Sequence, residues 1–227
     1  MTRPEILAAL DALDTITRTL RRDCPWDREQ DERSIVPHTV EEAYELADAA
    51  QRGDDRKLLD ELGDVLFQVH FLSLLMEERG AGDLAAVAEH CRQKLIRRHP
   101  HVFGDLEVES ASQVLANWDE IKRAEAGREP GVFGEVPENL PGPLYARKLQ
   151  RRAATAGRHE AAEDPRDALA RLDTADRAAR TEALGDALFA LVDLARRERI
   201  DPELALRAAA DRFRARVESS PETTRSP

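Results

Sequence analysis

The chain is short of aromatic residues, of cysteine, of long apolar runs and of positive charge, and each shortage excludes something. Aromatics make up 4% of 227 residues. Sheets lean on aromatic and β-branched side chains, so a composition rich in Ala, Leu, Arg and Glu points to helices instead. The two cysteines, Cys24 and Cys91, form no Cys-x-x-Cys pair. That argues against a structural zinc site, and their scarcity fits a reducing cytoplasm. No stretch is long enough to span a membrane, and Met1-Thr2-Arg3-Pro4-Glu5 opens without the apolar core of a secretory leader. Against 45 Asp+Glu stand only 34 Lys+Arg, for a formal net charge of -11. Such a surface does not suit a general binder of nucleic-acid polymers. A polyanionic substrate would have to be recruited through metal ions and a local basic patch.

What is present is helical periodicity along nearly the whole chain. Ile6, Leu7, Leu10, Leu13, Ile16 and Leu20 form an i, i+3/i+4 stripe on a first helix. A loop, Cys24-Pro25-Trp26-Asp27, follows, and Pro37 precedes a helix carrying Glu41 to Asp48. Asp54 is placed to cap the next helix, which stops near Gly80 and Gly82. Asp83 is placed to cap another, with Leu84, Val87, Cys91 and Leu95 inward and Arg97-Arg98 in its last turn. Ser110-x-x-Gln113 opens a helix with Trp118 and Ile121. The Pro/Gly-rich stretch 127–143 reads as a linker, giving domains at 1–126 and 144–218 and a disordered tail at 219–227.

Two acidic clusters stand out. Glu41-Glu42-Ala43-Tyr44-Glu45 and Glu61-Leu62-Gly63-Asp64 both repeat carboxylates at i, i+3, which projects each pair from one side of a helix. The second runs straight into Val65-Leu66-Phe67-Gln68-Val69, and Val65, Leu66, Val69, Leu72 and Leu75 make an apolar face. A short turn at Arg52-Gly53-Asp54 folds the two helices into a hairpin. Four carboxylates beside a core suit a hard cation with oxygen ligands, and Mg²⁺ above all. A plainer reading competes: Thr39-Val40-Glu41-Glu42 also fits a capping box, and Asp64 can simply face solvent.

There is also a weak internal repeat, for Leu62-Gly63-Asp64-Val65-Leu66-Phe67 returns as Leu184-Gly185-Asp186-Ala187-Leu188-Phe189. The second copy reads as degenerate. Ala183 stands in place of Glu61, and no Glu-Glu-x-x-Glu lies upstream, where the chain runs Asp167-Ala168-Leu169-Ala170-Arg171-Leu172-Asp173. The face of Leu188, Phe189, Leu191, Val192 and Leu194 persists, so packing is what this half is expected to retain.

Cys24-Pro25-Trp26-Asp27, Glu41-Glu42-x-x-Glu45, Glu61-Leu62-Gly63-Asp64, Arg97-Arg98-His99-Pro100-His101-Val102-Phe103 and Asn117-Trp118-Asp119-Glu120-Ile121-Lys122 occur in an order that resembles the MazG-type nucleoside triphosphate pyrophosphohydrolases. The resemblance is strong over about residues 5–125 and weaker beyond. It implies an all-α protein built of helical-bundle modules, here two tandem copies with the second degenerate. It implies cleavage of nucleoside triphosphates to the monophosphate and pyrophosphate with Mg²⁺, Mn²⁺ being a possible substitute. Glu42, Glu45, Glu61 and Asp64 are then the metal ligands, and Glu41 is a further ligand or a neighbouring base. Lys94, Arg97 and Arg98 become phosphate contacts, Trp118 a base-stacking residue and Lys122 a second phosphate contact. The resemblance also favours a homodimer. Asp31 departs from the family's usual Thr. Two rival readings stay open: a base-restricted hydrolase of the dCTP/dUTP or phosphoribosyl-ATP type, and a non-enzymatic helical interaction protein with a vestigial nucleotide site.

Overall fold

The structure, a computed structural model, describes residues 2–125, 131–134, 136–137, 139–158, 163–171 and 176–219. Among these every regular element is helical. The expected tail from Ser220 onward lies outside the described residues, as do parts of the expected linker; Ser219 closes the last helix. The chain divides into two compact units, Met1–Glu107 and Val108–Pro227.

In the first unit α1 (Arg3–Asp23), α2 (Pro25–Glu29), α3 (Glu32–Arg52), α4 (Asp55–Glu78), α5 (Leu84–Arg98) and the short α6 (Pro100–Phe103) follow one another. The Cys-Pro-Trp-Asp stretch is therefore a helical turn, with Pro25 in the first-turn position where its missing N–H costs nothing. The third helix starts earlier than the sequence reading places it. Asp31 accepts from the N–H groups of Arg33 and Ser34 at 2.8 Å, and Ser34 Oγ accepts from the Asp31 N–H. That cap carries α3 through Pro37, which lies inside the helix. Thr39 is thus no cap: its hydroxyl lies 3.3 Å from Oε1 of Gln68 on α4. The Asp31 departure proves to be the residue that starts the helix bearing the acids.

Gly53, at φ 67°, ends α3 in the left-handed conformation that glycine adopts without strain. Asp54 then accepts from the Lys57 N–H at 3.1 Å and opens α4. Among the described residues, helices α3 and α4 make the most extensive packing. Their core is Ile35, Phe71 and Leu75, with Phe67 and Leu72 against it. The inward face of α4 is therefore rotated from the expected one. Leu75 is buried, but Leu66 and Val69 are exposed along with Leu59 and Leu62. On α5, Leu84 and Val87 are partly covered, whereas Cys91 and Leu95 are exposed, contrary to the inward placement expected of them.

Helix α1 meets α4 through polar groups. Arg18 forks onto Glu77, and Arg21 forks onto Glu78 while also donating to the carbonyls of Asp27 on α2 and of Gln30 just after it. The apolar stripe of α1 points elsewhere: Ile6, Leu7, Leu10, Ile16 and Leu20 are all exposed.

The second unit holds α7 (Ala111–Ala124), α8 (Gly142–Thr155), α9 (Pro165–Ala170), α10 (Arg177–Arg197) and α11 (Pro202–Ser219). Helix α10 packs on α8, α9 and α11. Its buried positions include three small residues, Ala183, Ala187 and Ala190, and Ala168 on α9 is buried as well. This corrects the expected apolar face: of that set only Val192 is buried, and Leu188, Phe189, Leu191 and Leu194 are exposed.

A candidate metal centre between α3 and α4

Glu42 and Glu45 lie on α3, one turn apart, and Glu61 lies on α4 across the hairpin. One carboxylate oxygen from each falls within 4.8 Å of the others, the one such group of potential ligands among the described residues. Their burial is graded. Glu61 is 4% exposed, Glu42 is half-buried and Glu45 is exposed, so the cluster has a floor and an open side. The charge is poorly compensated. Lys57 offsets part of it, its Nζ standing 3.8 Å from Glu61 Oε1 one turn back on α4.

The electrostatic consequence is a pair of carboxyls held above their ordinary range. For Glu42 burial is the main cause, followed by the charges of Asp64, Glu45, Glu61 and Glu41. For Glu61 burial again leads, then Glu45, with Lys57 opposing. Asp64 is exposed, yet it exerts the largest single charge on Glu42, so it stands at the rim of the cluster. Glu41 is well exposed and faces His38, whose Nδ1 is 3.9 Å away.

Octahedral Mg²⁺, with oxygens at about 2.1 Å, spaces its ligands by about 3 to 4 Å. Three carboxylate oxygens within 4.8 Å of one another, open on one side, fit that requirement with small side-chain adjustments. The fit leaves positions for water or a substrate oxygen.

The basic residues divide between units. Lys94, Arg97 and Arg98 lie on α5, which packs on α4. Arg98 is buried, Lys94 half-buried and Arg97 exposed, so Lys94 and Arg98 share a face. Asp64 and Arg98 stand equally far from the connection at 79–83 along their helices. Trp118 and Lys122 lie on α7 in the second unit, where Lys122 Nζ sits 4.8 Å from the Trp118 ring centroid. Sequence reasoning missed Lys57, although its position four residues before Glu61 is the spacing at which helical side chains meet. It also passed over the edge-on contact of Trp26 with His38, at 5.9 Å between ring centroids.

Residues 30–103 match the MazG nucleotide pyrophosphohydrolase domain, a span that holds all five acids and the α5 basic residues. The nucleoside triphosphate pyrophosphohydrolase of Escherichia coli (strain K12) is 38% identical over 223 residues, covering 91% of this chain and 85% of that protein. The nucleoside triphosphate pyrophosphohydrolase/pyrophosphatase MazG of Thermotoga maritima is 38% identical over 208 residues, covering 88% and 79%. Among solved structures, a mazG-related protein from Thermotoga maritima aligns at a TM-score of 0.43 and 23% identity, over 49% of this chain and 97% of that one.

Proposed function

The chain belongs to the MazG family of nucleotide pyrophosphohydrolases, and we propose that it hydrolyses nucleoside triphosphates of broad base identity to the monophosphate and pyrophosphate, with Mg²⁺ held by the α3–α4 acids. The observation that carries this reading is the convergence of Glu42, Glu45 and Glu61 within 4.8 Å across the hairpin. A vestigial site would have lost acids from that set, and this one keeps them.

Glu42, Glu45 and Glu61 would hold the ion and Asp64 would close its rim. Bound there, Mg²⁺ supplies Lewis acidity toward a phosphoryl oxygen and the positive charge that lets a triphosphate approach an acidic surface. The buried Glu61 fixes depth, and exposed Glu45 leaves the substrate side open. Glu41, exposed and acidic beside Glu42, is suited to orienting a water or accepting its proton. Lys94, Arg97 and Arg98 neutralise charge on the departing pyrophosphate. Trp118 is proposed to stack on the base and Lys122, whose Nζ lies over that ring, to contact a phosphate.

The protein is proposed to work in the cytoplasm as a homodimer, with no nucleic-acid polymer or membrane as partner. The apolar side chains exposed along α1 (Ile6, Leu7, Leu10, Ile16) and α4 (Leu59, Leu62, Leu66, Val69) support association. Light scattering at micromolar concentration reads the mass, and a monomer overturns that part.

The deciding experiment is pyrophosphate release from a panel of ribo- and deoxynucleoside triphosphates with Mg²⁺, with Mn²⁺ and with chelator. Turnover of many bases supports the proposal. Turnover of one nucleotide alone selects the base-restricted reading, and none at all selects the non-enzymatic one.

A further inference from the structure

The α3–α4 hairpin is laid out in layers about Gly53. Glu45 and Glu61 stand equally far from it along the two helices, and so do Glu42 and Asp64. The charges follow that register. Glu45 is the leading charge on Glu61, and Asp64 is the leading charge on Glu42. The corresponding layer one turn nearer Gly53 pairs Lys57 on α4 with Ala49 on α3, which is fully buried. Two layers of acids are thus followed by one that holds a lysine on one helix and an alanine on the other.

The backbone of Lys57 is fixed, because its N–H donates to the Asp54 cap at 3.1 Å. Its side chain is held far less firmly. Nζ stands 3.8 Å from Glu61 Oε1, close enough for charge attraction and too far for a hydrogen bond. The lysine side chain is 45% exposed and that of Glu61 5%. A movable ammonium on a long stem is therefore drawn to a buried carboxylate that is also one of the three clustered ligands. An ammonium and a divalent cation repel each other, so they cannot both keep that carboxylate without cost.

We propose that Lys57 sets the affinity of the metal centre: its ammonium competes with a divalent cation for Glu61, holding part of that charge in metal-free protein and yielding it when the ion binds. The inference rests on the metal role of Glu42, Glu45 and Glu61. Lysine suits the task because a point charge on a flexible stem can withdraw to solvent, whereas the planar fork of an arginine would grip the carboxylate. The chain then binds the free ion more weakly than its acid cluster alone would.

The test is Mn²⁺ binding to the full-length protein at pH 7.5 without nucleotide, read by the electron paramagnetic resonance of free Mn²⁺. Lys57→Met keeps the stem and removes the charge, and is expected to tighten binding about fivefold or more. Lys57→Arg should match the wild type or bind more weakly. Arg56→Met makes the same change in net charge one residue away on an exposed side chain, and should stay within about twofold of the wild type. Adding Glu61→Gln to Lys57→Met should cancel the gain. In thermal melts Lys57→Met should lower Tm in chelator and enlarge the rise given by Mg²⁺. Lys57→Gln replaces Lys57→Met should the latter fail to fold. Unchanged or weaker Mn²⁺ binding in the charge-removed variant overturns the proposal, as does an equal gain in Arg56→Met or in Lys57→Arg. Glu61→Gln alone separates the two readings. If it leaves Mn²⁺ binding intact, the cage fails and this proposal with it; if it weakens binding while Lys57→Met changes nothing, the role of Lys57 alone is refuted.

Discussion

Lys57 Nζ lies 3.8 Å from Oε1 of the buried Glu61, one turn away on the same helix. Lys57 offsets only part of the charge gathered by Glu42, Glu45, Glu61 and Asp64, and the carboxyls of Glu42 and Glu61 remain pushed up. A carboxyl with a raised folded-state pKa is more protonated folded than unfolded. Its contribution to stability is present at low pH and is lost as pH rises through the folded value. Metal-free protein is therefore expected to lose thermal stability between the ordinary carboxyl range and neutrality. Glu61→Gln should raise Tm at pH 7.5 in chelator and abolish the further rise given by Mg²⁺. Thermal melts followed by circular dichroism check this, and a lower Tm for Glu61→Gln in chelator contradicts it.

Glu42→Gln and Asp64→Asn should nearly abolish hydrolysis while the fold survives. Removing ligand charge weakens the ion's hold, and neutralising acids that repel one another does not unfold the hairpin. Rates measured at limiting Mg²⁺ decide; wild-type turnover in either variant would rule out the cage.

Trp118→Ala should raise KM with kcat less affected, by about 1–3 kcal/mol in binding, the scale of base–aromatic stacking. Steady-state kinetics with a calorimetric melt separates the roles. A large fall in Tm with unaltered KM would make Trp118 a packing residue.

Arg21→Ala should destabilise the first unit by about 1.5–3 kcal/mol, the range for hydrogen bonds to a charged group. It unfastens α2, because Arg21 is what ties the Asp27 and Gln30 carbonyls to Glu78. Phe71→Ala, at a fully buried ring in the α3–α4 core, should cost about 3–5 kcal/mol. Urea titrations of both variants give the ranking, with Phe71→Ala the more severe.

Asp186→Asn in the full chain should leave kcat nearly unchanged, since its carboxylate is engaged by Arg171. A large loss of turnover would place catalysis in the second unit.

By itself the sequence determined the helices and the acids. Asp54 and Asp83 announce their helices through caps that form within three residues, and the i, i+3 spacing of Glu42/Glu45 and Glu61/Asp64 is a local property of the helix. The tertiary structure decided which sides turn inward. Periodicity marks the apolar stripe of α1, but what α1 brings to α4 is Arg18 and Arg21, whose partners Glu77 and Glu78 lie more than fifty residues away. It also decided that α3 begins at Asp31 and absorbs Pro37, because the cap there and the packing of Ile35 on Phe71 outweigh one lost backbone bond. Burial of Glu61, and so the depth of the site, follows from the α3–α4 packing. No spacing rule contains it, because the i, i+3 step that pairs Glu61 with Asp64 leaves Asp64 exposed and Glu61 buried.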